Sequence, residues 1–402
     1  MATLNNDIVN VPRVSYYELD SNPVWNGEGS QIPIFIGTTG TAVTGDLEIQ
    51  KFKSYNAANK TIEKGGIGLE NKNNLLLLIL KDFFEEAAKT KTEDIGISYC
   101  YVINIGTADI KTEAGRKVWV EAFDLAKSKR DVEAEVYVGF DKEDENSDIV
   151  SILTSANASI VEDSEDGSPR IGYLTLFGAD DAKLISLTDD TNGLSTDKGA
   201  TYINKPRIAL TEPEPFGKIV AKICTTPYYE EPGYTRFRTI ENNIYNKRTP
   251  DEMKALQDAG IIFVRDELTR KEIYTRINLG VSTAFANTPS NRPNDCLLHA
   301  RRNVDHFIRE LFDIVFKQLK KNETEVNLNH MQTDVDTLVD DEIEAGNMMK
   351  GTQCFVEESD KNPYDLIINC NAVPVNSTLN IGFGMYVSEP SIKVLENTTG
   401  GA

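Results

Sequence analysis

The sequence predicts a mixed α/β fold, with an α/β unit in the middle of the chain and a β-ribbon near its end. Short apolar strands alternate with amphipathic helices between residues 32 and 177. A long helix with a continuous apolar stripe is predicted over residues 294–321, and residues 379–387 are apolar at every second position. Alternating strands and helices pack in layers, and a period of two indicates a strand with one buried face.

The predicted α/β unit begins with a strand over residues 32–36 that ends at Gly37. The elements that follow are a helix over 73–89, a strand over 99–105, a helix around 112–129, a strand at 136–140, a helix from residue 149 and a strand over 171–177. Residues 179–215 predict loops and short strands. The stretch 225–237, rich in Pro, Gly and Tyr, indicates a domain boundary.

Helix signals are strongest after residue 248. Thr249 as N-cap, Pro250 in the first turn and Glu252 as capping-box partner predict a helix that stops at Gly260. Strands are expected at 260–267 and 272–279, followed by the long helix and by an acidic helix over 332–345. The apolar stripe of the long helix is Leu297, Ala300, Val304, Phe307, Leu311, Ile314 and Leu319, with Arg301, Arg302, Arg309 and Lys317 mostly opposite.

The end of the chain predicts an exposed hairpin followed by a polar tail. Its first strand carries Leu366, Ile368, Cys370 and Ala372, and residues 373–376 form the turn. The second strand carries Leu379, Ile381, Phe383, Met385 and Val387. A two-stranded ribbon is barely stable alone, and its open edges attract further strands.

Composition narrows the functional class. The chain has 402 residues, enough for two or three domains, and a formal net charge of -21. This charge argues against nucleic acid and anionic membranes as partners and suits a protein kept soluble at high concentration or one with a basic partner. Neither a signal sequence nor a membrane span is predicted, so synthesis and folding in a cytoplasm are expected. Five scattered cysteines without CxxC spacing argue against disulfides and structural zinc.

The sequence lacks a recognisable catalytic constellation. Cys296, His299 and His306 share one helix but lack a fourth metal ligand, so a structural role is favoured. The stretch "FIGTTGTA" (35–42) lacks the Gly-Lys-Ser/Thr that grips phosphates. We therefore expect no enzyme activity, no metal and no cofactor. Pairing-prone strands at both ends instead favour a self-assembling structural protein.

Several segments follow one another along the chain in an order that is typical of one protein family. Near the start, "PRVSY" (12–16) stands where that family has a Pro-Gly-Val-Tyr-like arm, and "IFIG" (34–37) follows. "LLLLILKDFFEEAAKTKTEDIGISYCYVINI" (75–105), "PFGKIVAKICTT" (215–226) and "MKALQDAGIIFV" (253–264) come next, and "DLIINCNAVPVNSTLNIGFGMYV" (365–387) closes the series. This series resembles the contractile tail sheath family of bacteriophages, R-type bacteriocins and related injection systems.

The resemblance implies an outer α/β domain inserted in a discontinuous inner domain with a C-terminal hairpin and extended arms. The expected division is an N-terminal arm at 1–24, an outer domain at 25–237, an inner domain at 238–387 and a C-terminal arm at 388–402. The arms would donate strands to neighbouring subunits, and the ribbon 379–387 would accept them. Side chains suited to the donor role are Val9, Val11, Val14, Tyr16, Ile392 and Val394.

The implied function is that of a sheath subunit in a helical homopolymer, with hexameric rings stacked around a tail tube. Baseplate and tail terminator proteins are the other implied partners, and the location is a virion tail or an extracellular contractile particle assembled in the host cytoplasm. Two surfaces are alternatives for tube contact: the acidic set Asp334, Asp336, Asp340, Asp341 and Glu344, or the basic set Arg301, Arg302, Arg309 and Lys317. Another virion or filament component and an acidic α/β enzyme remain alternative functions.

Overall fold

A computed structural model gives the fold of most of the chain. The described residues are 31–40, 46–64, 74–90, 99–188, 207–234, 236–240, 248–268, 273–287, 296–317, 325–358 and 366–375.

A seven-stranded sheet forms the centre of the larger unit. Its strands are β1 (Pro33–Gly37), β2 (Ile49–Phe52), β3 (Cys100–Asn104), β4 (Ala134–Val138), β5 (Ile171–Thr175), β6 (Ile208–Thr211) and β7 (Ile261–Ile262). Their spatial order is β2-β3-β1-β4-β5-β6-β7, and all pairs are parallel except β2 with β3. Phe35 of β1 lies opposite Val102 on one side and Val136 on the other.

Helices cover both faces of this sheet, which is why β1, β4 and β5 are buried along their whole length. One face packs against α2 (Leu75–Thr90) and α6 (Phe216–Thr225). The other packs against α3 (Glu113–Ala126), α4 (Asn146–Glu165), α5 (Asp181–Thr188) and α7 (Pro250–Asp258). The short α1 (Tyr55–Lys64) precedes α2.

Helices α2 and α6 approach each other closely at Gly217. A Cβ atom there would lie 2.5 Å from the carbonyl oxygen of Ile79, so a larger residue could not occupy the position without moving the backbone. This contact fixes the spacing of the two helices on their face of the sheet.

The remainder of the described chain forms a smaller α+β unit. It contains the antiparallel pair β8 (Val264–Leu268) and β9 (Ile273–Ile277), the helices α8 (Leu298–Phe316) and α9 (Glu325–Glu344), and the antiparallel pair β10 (Gln353–Glu358) and β11 (Leu366–Asn371). A third apolar cluster joins α8, α9 and β10 through Phe307, Val335, Val339, Met348 and Cys354.

The α/β class predicted from the sequence is confirmed, and so are most elements of its middle part. The capping box is present: the Thr249 hydroxyl accepts from the Glu252 amide at 3.3 Å, and the Glu252 carboxylate accepts from the Thr249 amide at 2.7 Å. The predictions missed helices α1, α5 and α6 and strands β2 and β10. The acidic helix begins at Glu325, earlier than predicted.

A candidate assembly surface near the C-terminal end

The side chain of Gln332 on α9 makes hydrogen bonds to the backbone of β10, beside the apolar cluster that joins the two elements. Its amide nitrogen donates to the Cys354 carbonyl at 2.9 Å, and its amide oxygen accepts from the Val356 N–H at 2.8 Å. Gln332 thus satisfies the two β10 groups that a neighbouring strand would otherwise use. The edge of β10 that faces away from β11 is therefore closed at this position.

The outer edge of β11 differs from that of β10. Cys354 lies opposite Cys370 in the register, and because the Cys354 carbonyl points away from β11, these two residues form a non-hydrogen-bonded pair. The backbone N–H and C=O of Cys370 and of its alternate neighbours Ile368 and Leu366 therefore point outward. In the described ranges, no strand pairs with this edge.

The strand Leu366–Asn371 corresponds to the first strand of the hairpin predicted from the sequence, and the structure pairs it with β10. The predicted second strand, with Leu379, Ile381, Phe383, Met385 and Val387, lies outside the described residues. The same holds for the donor side chains of both arms, Val9, Val11, Val14, Tyr16, Ile392 and Val394. Their roles stay predictions.

Helix α9 presents an acidic face. Its apolar side chains Met331, Val335 and Val339 are buried. The five carboxylates of the acidic set, Asp334, Asp336, Asp340, Asp341 and Glu344, are all exposed. Glu342 instead turns inward, and burial raises the pKa of its carboxyl group. One side of α9 is thus available to a partner of positive charge.

The basic set on α8 does not form an exposed face, contrary to the sequence-based expectation. Arg302 is buried and donates to the Thr226 carbonyl. Arg309 donates to the carbonyls of Arg130, Val132 and Pro169 at 2.8, 2.7 and 2.6 Å. Lys317 is exposed. Arg302 and Arg309 are thus turned inward and donate to backbone carbonyls that lie between or at the ends of helices and strands.

Asp305 binds α8 to the large sheet. Its carboxylate accepts two hydrogen bonds from the Arg207 guanidinium just before β6, at 2.9 and 3.1 Å. The neighbouring Arg301, partly buried, donates to the same carboxylate. Since both partners of the Arg207–Asp305 pair are nearly buried, this contact attaches the smaller unit to the sheet firmly.

In the sheet, the place where ligands usually bind in α/β folds is closed by its own hydrogen bonds. This place lies at the carboxyl end of β1, between β1 and β4, because the connections that leave these two strands run in opposite directions along the sheet. The amides of Thr39 and Gly40 both donate to the Gly106 carbonyl, at 3.0 and 3.2 Å. The side-chain oxygen of Asn104 accepts from the Thr39 hydroxyl and the Gly106 amide. Amides occupied in this way cannot cradle a phosphate.

The histidines weighed as metal ligands point to different neighbours. His299 lies 2.9 Å from the Glu231 carboxylate, and His306 stacks on Tyr228 with ring centroids 3.8 Å apart. Burial and the Arg309 charge lower the pKa of His306 to about 4. Among the described residues, no three His, Cys, Asp or Glu side chains converge on a possible metal position.

Sequence reasoning missed Gln332 and Asp305. Gln332 is an ordinary helix residue in the sequence, and its role depends on β10, which carries no clear strand signal. Asp305 follows Arg301 at helical spacing, which predicts only a surface ion pair.

Within the described ranges, no helix combines the length and hydropathy that crossing a bilayer requires.

Comparison with known proteins identifies the fold. No protein-family model matches the chain, and no curated protein sequence matches it. Among solved structures, the contracted helical sheath of the anti-feeding prophage matches 94% of this chain and 100% of its own, with a TM-score of 0.62 and 13% identity. The contracted PVC sheath of an extracellular contractile injection system matches 94% and 98%, with a TM-score of 0.61 and 10% identity.

A crystal structure of a sheath tail protein from Listeria innocua is also similar. It matches 88% of this chain and 94% of its own, with a TM-score of 0.56 and 9% identity. These similarities extend over nearly the whole length of each chain, with low sequence identity. The chain therefore has the fold of contractile tail sheath proteins.

Proposed function

We propose that this chain is the repeating subunit of a contractile sheath, which polymerises helically around an inner tube. The observation that carries the proposal is the fold similarity to the anti-feeding prophage sheath across 94% of the chain. Baseplate structures of that particle contain a chain of the same fold, with TM-scores of 0.61 and 0.63. Self-association and attachment to a baseplate follow from this likeness, and a structural role follows instead of an enzymatic one.

Subunits would be joined by exchanged strands. The outward-pointing backbone groups of β11 would pair with the ribbon 379–387, and this ribbon in turn would accept an arm from a neighbour. The arms are residues 1–24, with Val9, Val11, Val14 and Tyr16, and residues 388–402, with Ile392 and Val394. Strands exchanged in this way would keep neighbouring bodies linked while those bodies rotate.

Contraction would be a rigid-body rearrangement between two packings of the same subunits. The ion pair of Asp305 and the three hydrogen bonds of Arg309 favour motion of each subunit as one piece. The outer domain would span residues from 25, the inner domain would follow to 387, and hexameric rings would stack along the tube. Because β7 pairs with β6, we place the outer domain's end after Ile262 in place of residue 237.

The remaining partners are a tube protein and a tail terminator, and the particle would be a phage tail or an extracellular injection device assembled in a cytoplasm. For tube contact we favour the acidic face of α9, because Arg302 and Arg309 are engaged inside the subunit. A different virion or filament component is the second candidate, since strand exchange also serves such assemblies.

The test is removal of the C-terminal arm. The full chain should form hollow cylinders of uniform width in negative-stain microscopy, and a chain lacking 388–402 should stay a folded monomer with unchanged circular dichroism. A sharper version keeps the length: Ile392→Ser with Val394→Ser should abolish cylinders. The matched control, Ser391→Ala with Lys393→Ala, alters the alternate positions and should leave them intact.

Cylinders of normal yield from the deleted chain would contradict strand donation by this arm. A full chain that stays monomeric both alone and with a tube protein would contradict the sheath assignment itself.

A further inference from the structure

Two of the five cysteines lie side by side on adjacent strands. Cys354 of β10 and Cys370 of β11 are directly opposite each other in the register. The Gln332 contact with the Cys354 carbonyl shows that they form a non-hydrogen-bonded pair. Opposed residues of that kind have Cα atoms about 4.5 Å apart, with side chains on the same face of the ribbon. This separation falls within the range of about 4.4–6.8 Å that a disulfide spans.

The two thiols differ in access and in acidity. Cys354 is buried, whereas Cys370 is exposed. A hydrogen bond from the Cys354 thiol lowers the pKa of Cys370, because it stabilises the thiolate. Cys370 therefore forms the thiolate nucleophile more readily than Cys354, which lies directly opposite it.

The other cysteines have a different setting. Cys100, Cys224 and Cys296 are all buried, and burial raises the pKa of Cys100 and of Cys224. Reagents in solution therefore reach Cys370 first. We propose that Cys354 and Cys370 form a reversible cross-strand disulfide when the protein meets a low-molecular-weight disulfide such as oxidised glutathione.

The reaction is a double thiol–disulfide exchange. The Cys370 thiolate attacks one sulfur of oxidised glutathione, which forms a mixed disulfide and releases one glutathione thiolate. The Cys354 sulfur then attacks the Cys370 sulfur, forms the cross-strand bond and releases the second glutathione thiolate. The two protein thiols lose their protons to the two glutathiones, so the protein is oxidised by two electrons and the reagent is reduced by two.

The bond would tie β10 to β11 where the ribbon lies against α9. Because it closes the chain between residues 354 and 370, it would hold the outer edge of β11 in place against strain along the C-terminal segment.

The test uses the full chain, purified with reductant and then exposed to oxidised glutathione under native conditions. After the reagent is removed, free thiols are counted in denaturant, and peptide mass mapping locates the bond. The count should fall from the five cysteines of the sequence to three, with residues 354 and 370 in one linked pair. Hydrogen exchange over 353–371 should slow in the oxidised protein and recover on reduction.

Variants separate the pair from general oxidation. Cys370→Ser should keep all of its four thiols, whereas the matched control Cys296→Ala should go from four to two. Five remaining thiols in the wild-type chain after prolonged exposure would overturn the proposal. Glutathione left on Cys370, or disulfide-linked dimers, would overturn it as well, because either result means that Cys354 does not complete the exchange.

Discussion

At the scale of single residues, Asp305 links helix α8 to the large sheet through a largely buried ion pair. It accepts from Arg207 at 2.9 and 3.1 Å and from Arg301, and both partners of the Arg207 pair are mostly buried. Asp305→Asn removes the negative charge and leaves the Arg207 guanidinium poorly compensated. We expect a loss of about 3 kcal/mol of unfolding free energy, measured by urea denaturation.

The matched control is Asp258→Asn, which makes the same chemical change in an exposed ion pair. Asp258 pairs with Lys254 on the surface of α7, with side chains 59% and 71% exposed. Its loss should cost under about 1 kcal/mol. Equal costs for the two variants would contradict the special role of Asp305.

His306 makes stability depend on pH in a defined window. Its pKa is about 4 in the folded protein against 6.5 in the unfolded chain, because the ring is packed against Tyr228 and lies near Arg309. The unfolded chain therefore binds the proton first, and stability falls as pH drops from 6.5 to 4. The loss should reach about 2–3 kcal/mol, and His306→Phe should remove it while keeping the stacked ring.

Urea midpoints of both chains across this window measure the effect of His306. Carboxyl groups titrate alike in the two chains, so the difference between their curves isolates the imidazole. Curves that stay parallel would exclude the histidine as the cause.

The arginines of α8 show that a charged side chain is not always exposed. Arg302 and Arg309 lie opposite the apolar stripe of α8 and were expected to be exposed. In the fold that side of the helix meets carbonyls from residues 130, 132, 169 and 226. Guanidinium groups satisfy several such acceptors at once, so charge does not imply exposure where backbone ends converge.

At the scale of elements, Gln332 attaches the strand pair β10–β11 to helix α9. Its side chain makes hydrogen bonds to both the Cys354 carbonyl and the Val356 amide. Gln332→Leu would leave both backbone groups without this partner. We expect local opening of β10 to become easier by about 1–3 kcal/mol, which hydrogen exchange at Val356 reports as an increase in rate of roughly fivefold or more.

Thr333→Ala is the neighbouring control for Gln332. The Thr333 side chain is exposed and donates only to the Asn329 carbonyl of its own helix among the described contacts. Exchange at Val356 should be unaffected by this change. If both variants open the strand equally, α9 as a whole, and not its Gln332, holds the ribbon.

The length of an apolar pattern decided which helices could be predicted. Helix α2 shows its stripe over 16 residues, whereas the stripe of α6, with Phe216, Ile219, Val220 and Ile223, spans only 10 residues beside a Pro-rich stretch that predicted loops. Strand β10 places Phe355 outward, 53% exposed, so its apolar residues do not alternate. Its pairing with β11 likewise depends on contacts far apart in the chain.

At the scale of the whole molecule, the chain has a net charge of -21, and one side of α9 carries five exposed carboxylates. Under the proposed function this side meets the tube. Neutralising it in one variant (Asp334→Asn, Asp336→Asn, Asp340→Asn, Asp341→Asn, Glu344→Gln) should leave the fold intact. Binding to the tube protein of the same particle, measured by co-sedimentation, should weaken by about tenfold or more, because several charge contacts are lost together.

A control with the same change of charge lies on the larger unit. Glu113, Glu121, Asp124, Glu143 and Glu162 are exposed on or near α3 and α4. Their neutralisation should leave tube binding unchanged. Equal weakening by both variants would show a general effect of net charge, and no weakening by either would remove α9 from the tube interface.

The hydrogen bonds of Arg309 also bear on the order in which the chain is built. Their acceptors, residues 130, 132 and 169, leave the ribosome long before α8 does. The sheet can therefore form first and receive α8 as it emerges, with α9 and the ribbon docking last. In this order of synthesis, the outer edge of β11 is exposed only after the large sheet has formed. This order limits strand pairing at that edge between neighbouring nascent chains.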